Sequence, residues 1–175
     1  AIEGQGFFMV RTGEDEVSYT RDGSFKISLG DGENNLVTSE GYYVLNSDGE
    51  PVSIPENVPV KDIIISDNGS IRYMQNGEEQ DTGVTIGVVQ FANPQGLEAI
   101  GGNLYTTTSA SGDAILEADG DVSKSKISQG FLELSNVNIA EEMVNLIVAQ
   151  RAYELNSKSI TTSDEMLQLA NNLKK

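Results

Sequence analysis

The 175-residue sequence contains no cysteine and no histidine. Without cysteine the chain can form no disulfide, no thiolate nucleophile and no cysteine-ligated zinc or iron–sulfur site. Without histidine it lacks the commonest general base and the commonest metal ligand, and a Ser-His-Asp triad is excluded. The residues therefore argue against an enzyme, and we predict no catalytic residue, no metal site and no cofactor.

Basic residues and long apolar runs are also scarce. Only 11 lysine and arginine residues oppose 27 carboxylates, which gives a formal net charge of −16. Nucleic acids and anionic membranes are bound by clustered basic residues, and the few here are scattered, so neither is a predicted partner. No apolar run approaches the ~20 residues of a membrane span, and no signal peptide is visible. A hydrophobic content of 38% is still adequate for a globular core.

The first part of the chain, residues 1–134, has the pattern of a hairpin-rich antiparallel β-domain. Asparagine or aspartate followed by glycine tolerates the positive φ angles of tight turns. The predicted hairpin dipeptides are Asp22-Gly23, Asp31-Gly32, Asp48-Gly49, Asn68-Gly69 and Asn76-Gly77. The predicted strands lie at 7–10, 17–21, 24–29, 42–45, 60–66, 70–74 and 84–92, the last being the longest.

Two segments of this part break the strand pattern. Pro51, Pro55 and Pro59 cannot donate to a sheet ladder, so we expect their segment to be an edge or a connector. Residues 106–126 are rich in Ser, Thr, Asp and Gly and predict an exposed connector, with brief strands at 114–118 and 126–128.

The last part, residues 135–175, contains neither Gly nor Pro and has helical periodicity. Asn138 is the expected cap, with Glu141 reaching back to it, and Glu154 and Lys158 are spaced for an ion pair. The Ser/Thr-rich centre is unfavourable to a helix, and a second helix could start at Thr162. Apolar residues at three-and-four spacing predict one assembly stripe, formed by Val144, Ile147, Val148, Ala152, Leu155, Met166, Leu169 and Leu173.

This helix needs a partner for its stripe. At 1.5 Å per residue it would be roughly 55 Å long, whereas a compact domain of ~135 residues is only about 35 to 40 Å across. We therefore expect the helix to extend beyond its own domain and to serve assembly. The alternative is that it folds back or breaks near Thr161 and packs on the chain's own sheet.

Acidic residues offer two alternative functions. The turn at 117–121, with Glu117, Asp119 and Asp121, invites a calcium site, although the spacing of an EF-hand is absent. Paired carboxylates could serve a glycosidase, and the candidates are Asp15, Glu16, Glu78, Glu79 and Asp81. A secreted acidic β-protein that binds calcium or carbohydrate thus remains the rival hypothesis.

Nearly the whole chain carries a resemblance to a known family. The β region contains AIEGQGFF at 1–8, YTRDGSF at 19–25, LVTSEGY at 36–42, FANPQGL at 91–97 and GNLY at 102–105. The end contains QGFLELSNVN at 129–138, EMVN at 142–145, QRAYE at 150–154 and TSDEML at 162–167. These segments resemble the flagellar rod and hook family, and QRAYE and the turn at 21–24 are more similar to its distal-rod members than to hook or proximal-rod members.

The resemblance implies a non-enzymatic structural subunit of the bacterial flagellar basal body. Such subunits are exported through the type III apparatus without a cleaved signal peptide and form a helical tube of identical copies, in contact with neighbouring rod and hook proteins. The family's N-terminal and C-terminal helices pair in the inner wall of the tube, with the β-domain outside. The family's N-terminal helix is not in this sequence, so residues 135–175 would be half of an assembly domain.

Overall fold

The structure is a computed structural model that describes residues 1–13, 16–29, 33–55, 58–75, 77–119 and 122–172. The chain divides into two compact units, Ala1–Glu133 and Leu134–Lys175. The first is built of antiparallel strands and the second contains one α-helix. The predicted class, mainly β with one long C-terminal helix, is confirmed. The predicted turns at Asp31-Gly32 and Asn76-Gly77 include residues outside the described ranges.

Fifteen short strands are described in the first unit, which we name the β unit. They are β1 (Ile2–Glu3), β2 (Phe7–Arg11), β3 (Val17–Thr20), β4 (Lys26–Leu29), β5 (Glu33–Val37), β6 (Tyr43–Val44), β7 (Ser53–Pro55), β8 (Ile63–Ile65), β9 (Ser70–Gln75), β10 (Glu78–Thr85), β11 (Val88–Gln90), β12 (Glu98–Gly101), β13 (Leu104–Thr106), β14 (Ile115–Leu116) and β15 (Lys126–Ile127). Short 3₁₀ turns occupy Val60–Asp62 and Pro94–Gly96.

The strands form one large sheet and two small ones. The large sheet has the order β12-β13-β3-β2-β6-β5-β4, with β11 joining β2 to β14 and β7 added on β5. A three-stranded sheet has the order β10-β9-β8, and β1 pairs with β15. All the recorded pairings are antiparallel. Because β1 and β15 are far apart in sequence, their pairing ties the first residues of the chain to the end of the β unit.

Strand β2 lies at the centre of the core because both of its faces are covered. Phe8 and Val10 belong to one apolar cluster, while Phe7 and Met9 belong to a second cluster on the opposite face. Alternate side chains of a strand point to opposite faces, so a run of four buried residues is the pattern of a strand enclosed on both sides. Phe8 also packs edge to face on the half-buried Phe25, with ring centroids 4.9 Å apart.

The predicted long strand at 84–92 is wrong, because it is two strands divided at Gly87. Thr85 ends β10, Val88 begins β11, and the Gly87 amide donates to the Leu45 carbonyl at 2.9 Å. A Cβ on Gly87 would lie 2.6 Å from the Asn46 carbonyl oxygen. The close approach of these two backbones requires a glycine, and the chain changes sheets at that point.

The Asp22-Gly23 dipeptide makes a turn but not a hairpin, because β3 and β4 are not paired with each other. The Asp22 carboxylate accepts hydrogen bonds from the Ser24 hydroxyl at 2.7 Å and from the Ser24 amide at 2.9 Å. These bonds hold the pKa of Asp22 below its ordinary value, the hydroxyl contributing most. By contrast, Asn68-Gly69 joins paired strands β8 and β9 as predicted.

The two segments without a strand pattern are more ordered than expected. The proline segment contributes β7, which pairs only with β5 among the described strands, and Val52 and Ile54 are buried in the core. In the predicted exposed connector at 106–126, Ser111, Glu117 and Ser125 are buried. Composition alone missed these buried positions because each is polar and is satisfied by hydrogen bonds rather than by apolar contacts.

Candidate assembly helix

The helix of the second unit, α1, spans Ile139–Asn172 without interruption and begins at the predicted cap. The Asn138 side-chain oxygen accepts a hydrogen bond from the Ala140 amide at 3.1 Å, and its carbonyl accepts from the Glu142 amide. Glu141 and Glu142 place negative charge in the first turn, where the helix dipole is positive. The reciprocal bond from the Asn138 amide to Glu141 is not among the hydrogen bonds of the described residues.

The Ser/Thr-rich centre remains helical, and the possible restart at Thr162 does not occur. The Thr161 hydroxyl donates to the Lys158 carbonyl, and the Ser163 hydroxyl donates to the Ser159 carbonyl, both at 2.9 Å. These hydroxyls bond within the helix instead of competing with it. At 1.5 Å per residue the 34-residue helix is about 51 Å long.

The ion pair of this region also differs from the prediction. Glu154 contacts Arg151, three residues before it, at 3.1 Å rather than Lys158. Both side chains are exposed, so this pair contributes only a few tenths of a kcal/mol.

Seven of the eight predicted stripe residues lie in the described part of α1, and all seven are exposed. At 100° per residue they fall within an arc of about 140°. The seven are Val144, Ile147, Val148, Ala152, Leu155, Met166 and Leu169, while Leu173 lies outside the described residues. The stripe has no large apolar residue between Leu155 and Met166, where Ser159 and Thr162 occupy the corresponding positions.

A second set of exposed apolar residues lies on α1 and was not predicted. Its members recur every seven residues and are Ile139, Leu146, Tyr153, Ile160 and Leu167. A seven-residue repeat keeps side chains on one side of a helix, with a drift of about 20° per repeat. The seven-residue spacing is visible in the sequence, but these residues lie opposite the predicted stripe and so do not belong to its arc.

The segment that leads to the helix is anchored by Arg21 at its upstream end. The Arg21 guanidinium contacts the Glu133 carboxylate at 3.0 and 3.5 Å and donates to the carbonyls of Gly4 and Gly6, each at 3.1 Å. It also lies over the Phe7 ring, 5.6 Å from the centroid. One side chain therefore joins the first residues of the β unit to its last residue.

The first residue of the chain lies beside the same segment. The Ala1 amine donates to the carbonyls of Ser128 and Phe131, each at 3.0 Å, next to the β1–β15 pair. The segment from Phe131 to the start of α1 exposes four large apolar residues, which are Phe131, Leu132, Leu134 and Val137.

The carboxylates proposed for a glycosidase do not form a shared cleft in the described part of the chain. Glu78, Glu79 and Asp81 lie on the exposed edge strand β10, and Asp15 is outside the described residues. Glu79 is 3.6 Å from Arg72, and the Asp81 carboxylate accepts from the Gly83 amide. Glu79 therefore takes part in an ion pair on the edge strand, and Asp81 stabilises a turn.

The calcium hypothesis rested on the turn at 117–121, in which Glu117 has protein partners. Its carboxylate accepts from the Ser125 amide, the Ser125 hydroxyl and the Gln90 side-chain amide, all at 2.7 Å. Asp121 lies outside the described residues. Over the ranges that the structure describes, no group of three or more carboxylates is placed to hold a metal ion.

The β unit also contains an apolar cavity of about 210 Å³. Its lining is mainly aliphatic and aromatic, including Phe8, Phe25, Ile63, Ile127 and Phe131, and has no charged side chain among the described positions. A sugar-cleaving site needs two carboxylates across the bond, so this cavity does not supply one. Among the described helices, none is long and apolar enough to cross a membrane.

Two family models match the chain. The model described as "Flagellar hook protein FlgE/F/G D1 domain" matches residues 1–73, within the β unit. The model described as "Flagellar basal body rod FlgEFG protein C-terminal" matches residues 128–173, which include the segment before α1 and the whole of the helix.

Relatives named flagellar basal-body rod protein FlgG align along the whole chain. That of Borreliella burgdorferi is 48% identical over 100% of this chain and 64% of its own length. That of Bacillus subtilis is 43% identical over the same shares. The Bacillus subtilis flagellar hook-basal body complex protein FlhP is 39% identical over 89% of this chain and 57% of its own length. The chain thus spans less than two thirds of each of these relatives. On these matches, it belongs to the flagellar rod and hook protein family.

Proposed function

We propose that this chain is part of a non-enzymatic structural subunit of the bacterial flagellar basal-body rod, most similar to the distal rod subunit. Residues 135–175 act as the assembly element and residues 1–134 as an outer β-domain. The observation that carries the proposal is the exposure of every described residue of α1, although the helix bears an apolar stripe. Contiguous exposed apolar surface of this kind marks an interaction site.

The assembly role follows from the energetics of an amphipathic helix. A helix gains most of its stability in a protein by burying its apolar face, and the centre of α1 has low intrinsic helix propensity. Leu155 and Leu169 are 67% and 63% exposed, so the burial that would stabilise them is available only from a partner. The subunit's partners are further copies of itself in a helical tube and the neighbouring rod and hook proteins.

The position of Ala1 supports a pairing of terminal helices. Because the Ala1 amine contacts Ser128 and Phe131, a segment joined ahead of Ala1 would begin beside the stretch that enters α1. The start of a preceding helix beside residues 128–131 is what a pairing of the family's terminal helices requires. The subunit reaches the basal body through the flagellar type III export apparatus, without a cleaved signal peptide.

The names of the relatives support a place in the rod. Several relatives at 37 to 48% identity carry the name flagellar basal-body rod protein FlgG. FlhP is named a hook-basal body complex protein, which keeps a hook or proximal rod subunit as the alternative.

The proposal is tested in the bacterium that encodes this chain, by replacing the gene with a Leu155→Asp version. An unpaired carboxylate buried between subunits costs several kcal/mol per copy, so rods should not form and the cells should not swim. The matched control is Glu165→Gln, which changes charge on the same helix without adding a carboxylate to the stripe. Electron microscopy of isolated basal bodies reads rod length directly. Normal rods and motility in Leu155→Asp cells, with wild-type protein levels, would refute the assembly role.

A further inference from the structure

Residues 4–6, which join β1 to β2, are held by polar groups although they belong to no strand. The Gly6 amide donates to the Ser125 hydroxyl at 3.1 Å, and this hydroxyl donates to the Glu117 carboxylate at 2.7 Å. The contact is close, because a Cβ on Gly4 would lie 2.5 Å from the Ser125 hydroxyl oxygen and a Cβ on Gly6 would lie 2.8 Å from it. Glycine at both positions lets the backbone approach these side chains.

The carbonyls of the same segment bond to Arg21, which also binds the end of the β unit. Its Nη1 donates to the carbonyls of Gly4 and Gly6, each at 3.1 Å. Its Nε and Nη2 donate to the Glu133 carboxylate at 3.0 and 3.5 Å. A guanidinium is planar and presents its donors in a rigid fork. Residues 4–6 and Glu133 are therefore held in one fixed arrangement about a single side chain.

Arg21 is itself fixed at both ends. Its guanidinium lies over the ring of the buried Phe7, 5.6 Å from the centroid, where the face of the ring attracts a cation. Its backbone lies between two residues of a bonded turn, since the Asp22 amide donates to the Thr20 hydroxyl at 3.1 Å. That hydroxyl donates to the Asn103 carbonyl at 2.8 Å. The side chain is thus preorganised for its contacts and loses little freedom by making them.

We propose that Arg21 is a positioning residue for assembly, which fixes the point at which the chain leaves the β unit. This inference rests on the proposed function, since it takes residues 135–175 as the assembly element. A tube of identical copies repeats the same contacts at every subunit, so each copy has to leave its β unit at the same place. Glu133 is the last residue of that unit, and it is the residue that Arg21 pairs with.

The exposure of the ion pair separates positioning from stability. The side chains of Arg21 and Glu133 are 29% and 48% exposed. Water and salt screen a pair that is this open, so the pair adds little to the free energy of unfolding. Loss of the guanidinium should therefore leave the β unit folded, while the segment that ends at Glu133 no longer has a fixed position.

The absence of cysteine allows this position to be measured with two spin labels. The labels are attached to Ser109→Cys and Leu132→Cys, which are exposed positions of the β unit. Double electron–electron resonance then gives the distribution of distances between them. We expect one narrow distribution with Arg21 present and a distribution at least twice as wide in Arg21→Gln. An unchanged width would overturn the inference, because the segment would hold its position without Arg21.

A second measurement follows assembly in the bacterium that encodes this chain. Arg21→Gln at wild-type protein levels should reduce swimming at least tenfold, with few complete rods in electron micrographs. The matched control is a change at the buried core residue Ile71, using whichever of Ile71→Val and Ile71→Ala lowers the urea midpoint at least as far as Arg21→Gln does. The control cells should form normal rods. An equal loss of rods in the control would overturn the inference, because assembly would then follow stability rather than position.

Glu133→Gln keeps the test decisive if the Arg21→Gln chain does not fold. It changes only a half-exposed carboxylate, so the chain should fold, the label distribution should widen and swimming should fall at least threefold. Normal rods in Arg21→Gln and Glu133→Gln cells, with no rods in Leu155→Asp cells, refute the role of Arg21 alone. Normal rods in all three refute the assembly role of the helix.

Discussion

The two units of this chain use their apolar residues in opposite ways. The β unit buries two apolar clusters on the two faces of its central strand, whereas the helical unit has no buried residue in its described part. The two units also differ in net charge. Residues 1–133 contain 22 carboxylates and 7 basic residues, a net of −15, while residues 134–175 contain 5 and 4, a net of −1.

From this difference we infer that the β unit folds by itself. A domain that hides its apolar residues and carries a high net charge remains soluble and repels its copies. A nearly neutral helix with exposed leucine, isoleucine and valine side chains gains stability only when another surface covers them. The contrast between a β unit with a buried core and a helix whose described residues are all exposed is the physical basis for the proposed rod subunit.

The largest effect is expected from a core residue of the β unit. Phe8 is 2% exposed and packs on Phe25, so Phe8→Ala should lower the free energy of unfolding by about 3 to 5 kcal/mol. Leu155→Ala on the helix should change it by less than about 0.5 kcal/mol in the unassembled chain, because the position is exposed. Urea unfolding followed by near-ultraviolet circular dichroism gives both values. Equal losses would mean that the helix is part of the same core.

A smaller loss in the free energy of unfolding is expected when the buried carboxylate of Glu117 is removed. Glu117→Ala removes the acceptor of the Ser125 amide and of the Ser125 hydroxyl, and it leaves the Gln90 side-chain amide with only the Ser123 carbonyl, at a cost of about 2 to 4 kcal/mol. The control is Glu98→Ala, an exposed carboxylate on β12, which should stay within about 0.5 kcal/mol. If urea midpoints show the two variants to be equally stable, the segment around 117–125 does not contribute to the fold of the β unit.

The smallest effect is expected from Asp22, and it should depend on pH. Its folded pKa is lowered, so its contribution is present above the unfolded value of about 3.9 and is lost as pH falls through the folded pKa. Asp22→Asn should therefore be slightly less stable than the parent chain at pH 7 and equal to it near pH 2. Thermal melts at the two pH values measure this, with Asp113→Asn as the control. A difference that grows at low pH would contradict the assignment.

Local chemistry made several features predictable from sequence. Asn138 caps the helix because its side chain can accept from the first free amides, and Asn68-Gly69 turns because the glycine, at φ 84°, tolerates a positive angle. Features that depend on distant contacts were not predictable. The division at Gly87 is set by the approach of Asn46, and the burial of Glu117 is set by Gln90 and Ser125. The second apolar set of α1, which includes Leu146, Tyr153 and Ile160, was not predicted because it lies opposite the stripe, and two opposite apolar faces obscure the amphipathic pattern of a helix.

The most direct test of the contrast between the units is the stability of a chain truncated after Leu134. The account predicts that this chain unfolds in urea with one cooperative transition, and that its midpoint and slope, read from tertiary signals of the β unit, equal those of residues 1–175. The truncated chain should also fail to join assemblies of the full-length subunit in sedimentation. A non-cooperative transition, or a midpoint lowered by the equivalent of 2 kcal/mol or more, would show that α1 belongs to the core of the β unit and would contradict the account.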